Sequence, residues 1–260
     1  MTSVQFGDSS TSDAGAAPAL DGVLALVEGS GGPAPSLLAR DARTWIASPA
    51  QGLTAGIDAV RGADASAAAL ADLSPSSLTL VAAAMTNRAC WAEVTRRADR
   101  EAETCLAGLS YDAGGSVSRL VWLRAPLVAA SSEVDEQSAG PDGRPVLGRY
   151  LADLMNSKFG EAASHFTVDT IYSHPPYAGG TERVLFRGRD ALRRGFATER
   201  GPSPVRQIVT AFWQRGTRVF VEGVIEGIPD GGTFFSTGQI TPEGEIARYV
   251  AFYSATRIPT

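Results

Sequence analysis

The second half of this chain holds its only two histidines, His165 and His174. An imidazole with an unperturbed pKa of about 6.5 offers both protonation states near neutrality, so these residues are the first candidates for moving a proton. The run Asp169-Thr170-Ile171-Tyr172-Ser173-His174 is β-prone and stops at Pro175-Pro176. Tyr172 and His174 are two apart, so on a strand they emerge on the same face. A phenol can donate to a developing enolate oxygen, and a carboxylate in an apolar setting can act as a base or orient a histidine. His174, Tyr172 and Asp169 therefore form a candidate catalytic set for proton abstraction beside a carbonyl, cyclisation or dehydration. Asp169 has the opposite parity and needs a bend, or a place before the strand, to join them.

The elements that would position this set can be read along the chain. Val146 to Met155 places Leu147, Tyr150, Leu151 and Leu154 at i, i+3, i+4 and i+7, an amphipathic helix. A short helix over Gly160 to Phe166 follows, then the strand at 169–174, a strand at Val184 to Phe186, and a helix from Asp190 to Thr198 with Asp190 as N-cap. Long β-like runs follow at Val205 to Gln214, Arg218 to Ile228 and Thr233 to Ile240. A turn at Pro242-Glu243-Gly244 leads into Glu245 to Tyr253. Helices first and a meander of strands after them is an α+β plan. Ala129 to Pro145 is acidic and rich in small residues, which reads as a linker, and residues 1–19 read as a tail. Two domains are expected, over 20–128 and 146–260.

The earlier segment repeats the later one. Arg61-Gly62-Ala63-Asp64-Ala65 falls on Arg187-Gly188-Arg189-Asp190-Ala191, and the same offset sets Thr44 on Thr170 and Pro49 on Pro175. An offset three residues longer sets Trp91 on Phe220, Glu93 on Glu222, Thr104 on Thr233, Arg119 on Arg248 and Val121 on Val250. The order of these matches favours an internal duplication.

The segments Tyr172-Ser173-His174-Pro175-Pro176-Tyr177, Phe186-Arg187-Gly188-Arg189, Phe220-Val221-Glu222-Gly223 and Glu245 to Tyr253 carry a resemblance to the nuclear-transport-factor-2-like superfamily, close to its SnoaL-like branch. The resemblance covers roughly 146–256, and extends to the first half only through the duplication. It implies two tandem cone-shaped α+β barrel domains, each a curved antiparallel sheet wrapped around helices, with a pocket in the cone. The superfamily includes polyketide cyclases, ketosteroid isomerases, dehydratases, epoxide hydrolases and purely binding proteins, so the fold does not choose the reaction. Its members commonly pair through the outer sheet face. The two halves of this chain would imitate that pair as an intramolecular pseudo-dimer, and the whole chain would be a monomer or a homodimer.

Residue types kept in both halves point to architecture. Glu222 with Glu93, and Arg248 with Arg119, fall on otherwise apolar strand faces and are expected to form a structural ion pair. By alternation Tyr249, Ala251 and Tyr253 face the cone, which makes the two tyrosines candidate ligand-binding residues. Tyr177 and Arg183 flank Gly179-Gly180 in a loop that would cover the cavity mouth, or form a solvated hairpin. Trp213 would stack on a planar ligand or pack in the core, and His165 would reach the ligand or cap a helix. At the offset of the Arg61–Arg187 match, Tyr172 and His174 correspond to Ile46 and Ser48, Asp169 to Arg43 and His165 to Ala39. The proton-handling groups are then peculiar to the second half.

Composition removes other classes. A net charge of −5 lacks the basic excess of a nucleic-acid binder. The longest apolar stretch, Leu80 to Met85, is too short to cross a bilayer, and the start of the chain has no signal-peptide pattern. Cys90 and Cys105 cannot build a disulfide framework, and the histidines are too few for a three-histidine zinc site. No dinucleotide fingerprint, phosphate loop or nucleophile elbow occurs. The expectation is a cytoplasmic protein that takes a small apolar or aromatic ligand without metal or cofactor, and performs acid/base chemistry on a polyketide-like carbonyl compound. The alternatives are a binding module and an assembly module.

Overall fold

The computed structural model describes residues 21, 23–25, 37–46, 58–71, 73, 77–86, 88–98, 101–128, 140–177, 182–229, 231–254 and 257–259. The expected tail over 1–19, the linker residues 129–139, Ser48 and the Gly179-Gly180 loop lie outside the described residues. The described chain separates into two units, with the boundary between Leu127 and Val128.

The first unit runs β1 (Leu38–Ile46), β2 (Asp58–Arg61), α1 (Ala63–Ala71), β3 (Ser77–Met85), β4 (Ala89–Ala98), β5 (Glu101–Tyr111) and β6 (Val117–Pro126). Its sheet has the order β2-β1-β6-β5-β4-β3. The second unit runs α2 (Arg144–Met155), α3 (Phe159–Ser164), β7 (Phe166–His174), β8 (Val184–Arg187), α4 (Arg189–Gly195), a π-helical turn (Phe196–Arg200), β9 (Arg206–Arg215), β10 (Arg218–Glu226), β11 (Gly232–Ile240) and β12 (Ile246–Ser254). Its sheet has the order β8-β7-β12-β11-β10-β9. These are two tandem α+β domains with one strand order. The sheets are mixed, however, and not antiparallel throughout: β1 runs parallel to β6, and β7 runs parallel to β12. The first long strand of each unit lies beside its last, and a non-sequential pairing of that kind has no hairpin to force the antiparallel direction.

Local chemistry accounts for the elements. Pro145 stands in the first turn of α2, where its missing N–H costs nothing. The buried residues of that helix are Val146, Leu147, Tyr150, Leu151 and Leu154, the stripe that its periodicity predicts. The linker reading ends earlier than expected. Gly143 N donates to Gln214 Oε1 (2.9 Å), and Gln214 Nε2 donates to the Pro141 carbonyl (2.7 Å), which ties residues 141–143 to β9. Gly188, at φ 84°, precedes α4, so Asp190 is not the N-cap; it lies in the first turn, 3.4 Å from Arg193. The turn at Pro242-Glu243-Gly244 forms as expected, with Gly244 at φ 81°.

Register links the two units residue by residue. Glu93 opposes Leu106 as Glu222 opposes Phe235, and Arg119 opposes Ser110 as Arg248 opposes Gln239. In the outer strands, however, Arg43 opposes Arg119 while Ile171 opposes Arg248. The counterparts of Tyr172 and His174 are therefore Thr44 and Ile46, and that of Asp169 is Asp41. This corrects the sequence alignment of Tyr172 with Ile46, His174 with Ser48, Asp169 with Arg43 and His165 with Ala39. The connection from β1 to β2 is two residues longer than that from β7 to β8, because Arg61 still matches Arg187. Burial follows the corrected pairing: β1 and β7 begin with the same two buried, two exposed, one buried pattern.

The second sheet is strongly curled. Gln207 on β9 donates a hydrogen bond to the Tyr253 hydroxyl on β12, although β10 and β11 lie between them. In a flat sheet those strands would be about 14 Å apart. The helix-covered face inside the curl holds Tyr150, Leu151, Phe166, Tyr172, Phe186, Phe196, Phe234 and Tyr249 in one core. Gly223 is required there by close approach: a Cβ would stand 2.2 Å from Phe234 Cε1 and 2.3 Å from the Ile208 carbonyl oxygen. Gly223→Ala is expected to lower unfolding free energy by about 2 kcal/mol or more through overpacking, read as an earlier urea midpoint at unchanged slope.

Candidate functional site

At one end of the second unit β7 and β12 finish, and β9 begins. His174, the last residue of β7, is 6% exposed. Its Nδ1 lies 2.6 Å from the carbonyl of Pro175, which can only accept, so Nδ1 carries the proton. Nε2 then has a lone pair, and it lies 2.8 Å from the Tyr253 hydroxyl, which donates to it. The Tyr253 oxygen in turn accepts from Gln207 Nε2. The result is a directed chain from the Gln207 amide through phenol and imidazole to a backbone carbonyl, with each donor matched to an acceptor.

Aromatic rings enclose this chain. The Tyr177 ring stacks on the imidazole (centroids 4.6 Å apart), and the Tyr253 ring meets it edge-on at 4.6 Å. Tyr172 lies parallel to the imidazole at 6.0 Å and stacks on Tyr249 at 5.6 Å. Its hydroxyl shares a hydrogen bond with that of Tyr150 (3.2 Å), and Phe196 meets its ring edge-on at 5.3 Å. Tyr177 Oη is buried and has no hydrogen-bond partner among the described residues.

Burial sets the charge state of every member. It pushes the His174 imidazole down to about 3, helped by the Arg183 and Arg200 guanidiniums and opposed by the bond to Pro175. Desolvation raises Tyr249 to about 12 and holds Tyr150, Tyr172, Tyr177 and Tyr253 well above the usual phenol value. At neutral pH the imidazole and the phenols are uncharged, with the phenols as permanent donors and one imidazole nitrogen as a base.

The structure thus brings together Tyr172, His174, Tyr177, Tyr249 and Tyr253, and leaves other expected residues elsewhere. Asp169 is exposed on β7, in the stretch where the register against β12 is irregular between Phe166 and Ile171, and that irregularity leaves it facing out; its counterpart Asp41 is exposed too. His165 caps α3 and pairs through Nε2 with Asp153 Oδ2 at 2.9 Å. Trp213 opposes Phe220 on the face opposite the core. Arg183 donates from Nε to Ser173 Oγ (2.8 Å) and from Nη2 to the Ala251 carbonyl, and it covers the Phe252 ring at 5.1 Å. That position straps β7 to β12 from the outer face, and burial lowers the guanidinium to about 9. Glu222, Arg248, Glu93 and Arg119 are all buried. Glu222 opposes Phe235 and Ala211 across its strand, and Arg248 opposes Gln239. Arg248 Nη2 donates to the Val128 carbonyl at 2.9 Å.

Tyr150, Gln207, Phe196 and Arg200 belong to the site and were missed by sequence reasoning. Tyr150 is the one polar-tipped residue in the buried stripe of α2, which was a usable signal. Gln207 reaches Tyr253 only through the curl of the sheet, which no spacing encodes.

No protein-family model matches the chain, and no curated protein matches it. Solved structures are similar to part of it. An NTF2-like protein of unknown function from Cytophaga hutchinsonii is 11% identical over 45% of this chain and 93% of its own, with a TM-score of 0.33. The epoxide hydrolase/cyclase-like enzyme SalBIII, of pyran ring formation in salinomycin, is 19% identical over 43% and 89%, with a TM-score of 0.34. The Orange Carotenoid Protein of Anabaena (Nostoc) sp. PCC 7120 is 21% identical over 51% of this chain and 43% of its own, with a TM-score of 0.36. NTF2-like proteins are among the solved structures to which this chain is similar. Among the described residues no helix is long and apolar enough to cross a membrane.

The depressed imidazole makes stability pH-dependent with a definite sign. An unfolded histidine takes its proton near 6.5, whereas folded His174 takes it near 3. Its contribution is therefore complete above pH 6.5 and is lost on acidification toward pH 3, at up to about 1.4 kcal/mol per pH unit. Urea midpoints measured from pH 7 to pH 4 should fall more steeply for the parent chain than for His174→Gln.

Proposed function

We propose that the second unit performs proton-transfer chemistry on a small apolar carbonyl compound, with His174 Nε2 as the base. The observation that carries this reading is the buried chain from Gln207 through Tyr253 to His174, enclosed by aromatic rings. A weak base suffices where neighbouring donors stabilise the enolate that it generates. The Tyr253 hydroxyl can rotate its proton from Nε2 to a substrate oxygen while still accepting from Gln207. That rotation frees the lone pair to take a proton from the carbon beside the carbonyl. Tyr177 Oη supplies a second donor to the same oxygen. The imidazolium formed keeps its Nδ1–H on Pro175, and returns the new proton to another carbon in an isomerisation or to a leaving hydroxyl in a dehydration. Tyr172 and Tyr249 act as stacking walls for the imidazole.

The uncharged state of the cluster favours a second reading, a module that holds an apolar carbonyl compound without transforming it. Native mass spectrometry of the purified chain should first identify a bound compound, and turnover of its class follows. His174→Ala is expected to reduce kcat by two or more orders of magnitude with ligand affinity kept within a few fold, and Tyr253→Phe to reduce it about tenfold or more. Unchanged turnover in His174→Ala would remove the base. A ligand held and never transformed by the parent chain would establish the binding module instead.

A further inference from the structure

The first unit carries a charged cluster on the helix-covered face of its sheet. Arg96 on β4 and Glu103 on β5 are direct cross-strand partners, and Arg124 on β6 opposes Cys105, two residues along β5. Arg96 Nη1 donates to Glu103 Oε2 at 3.0 Å. Arg124 closes a two-pronged contact, Nε to Oε2 at 2.8 Å and Nη2 to Oε1 at 2.8 Å. Arg96 Nη2 donates to the Leu73 carbonyl. Arg96 and Glu103 are only 8% and 5% exposed. Two guanidiniums share one carboxylate, and no second described carboxylate bonds to either. Cys105 does not supply the missing charge: burial, reinforced by Glu103, pushes its thiol up to about 12. The Arg124 side chain is 19% exposed, so the excess of one positive charge is only partly solvated, and it is costly unless an anion joins it.

A separate observation points the same way. Arg96 Nε and Trp122 Nε1 are both buried, and neither has a hydrogen-bond partner among the described residues. Trp122 is 0% exposed and two residues before Arg124 on β6, hence on the same face. Guanidinium and indole nitrogens of this kind can only donate. A ligand that met these two donors would bring acceptor oxygens, and among the described residues of the cluster a single negative charge completes the balance. The neighbouring residues Leu73, Val94 and Cys105 are apolar.

We propose that the helix-covered face of the first unit is a binding site for a monocarboxylate with an apolar body, held by Arg96, Arg124 and Trp122 with Glu103 fixing both guanidiniums. The position is the counterpart of the His174 end of the second unit, since Arg124 corresponds to Tyr253 and Glu103 to Gly232. The two units would then present different chemistry at one place in a shared scaffold.

Calorimetric titration of the full chain with hexanoate, and with the uncharged hexanamide, tests this directly. Hexanoate should bind with one site per chain, at least about tenfold more tightly than hexanamide. Trp122→Phe keeps the ring and removes the donor, and should weaken hexanoate about tenfold, the effect of one hydrogen bond to a charged group. Arg124→Gln should weaken it further; if that variant does not fold by circular dichroism, Trp122→Phe carries the test alone. No hexanoate binding, equal binding of the amide, or undiminished binding by Trp122→Phe would each overturn the proposal.

Discussion

An imidazole buried among aromatic rings must remain neutral, and much of the second unit is arranged around that requirement. His174 has no solvent to share its charge, so both nitrogens need partners of fixed type. The Pro175 carbonyl takes the proton of Nδ1, and the Tyr253 hydroxyl fills the lone pair of Nε2. Tyr253 could not donate reliably unless its own oxygen were held, and Gln207 holds it. That last bond crosses two intervening strands and exists only because the sheet curls. The core inside the curl supports this geometry, with α2 and the π-helical turn supplying Tyr150 and Phe196 against Tyr172. Fold and site are one mechanical problem: flatten the sheet and the polar chain loses its anchor.

The two units solve different problems on the same scaffold. Their strand orders coincide, and their central strands keep the same register partners. At the end where the second unit places a phenol on β12, the first places the Arg124 guanidinium on β6 and answers it with Glu103 and Arg96. Where the second unit has His174, the first has Ile46. One end is neutral and ordered by directed hydrogen bonds, the other charged and ordered by a shared carboxylate. The central strands of the two units share one register, and the ends differ in the side chains placed on it.

Much of this was legible in the sequence, for physical reasons that also mark where it stopped. The helical stripe of α2 and the strand alternation around Tyr249 and Tyr253 report burial directly, so the faces were assigned well. The pairing of Tyr172 with His174 on one face followed from the period of a strand alone. Parallel pairing of β7 with β12 leaves no local signature, so an antiparallel sheet was the natural expectation. The β1–β7 correspondence was misplaced by two residues because the flanking loops differ by that length; a shift of two preserves parity and goes unnoticed. Asp169 was attractive as chemistry, but exposure on its strand decides against it. His165 was read as a ligand contact or a helix cap, and it is the cap that forms; Arg183 was read as part of a loop over the cavity mouth or of a solvated hairpin. Their actual partners, Asp153 and the Ala251 carbonyl, are set by tertiary packing.

The protonation state of His174 is the most direct check on this account. Nitrogen-15 NMR of the labelled chain distinguishes the Nδ1–H tautomer from the Nε2–H tautomer and from imidazolium. The Nδ1–H tautomer is expected at neutral pH, persisting without protonation to pH 5. An imidazole found as the Nε2–H tautomer, or one that titrates near 6.5 as it would in water, would contradict it.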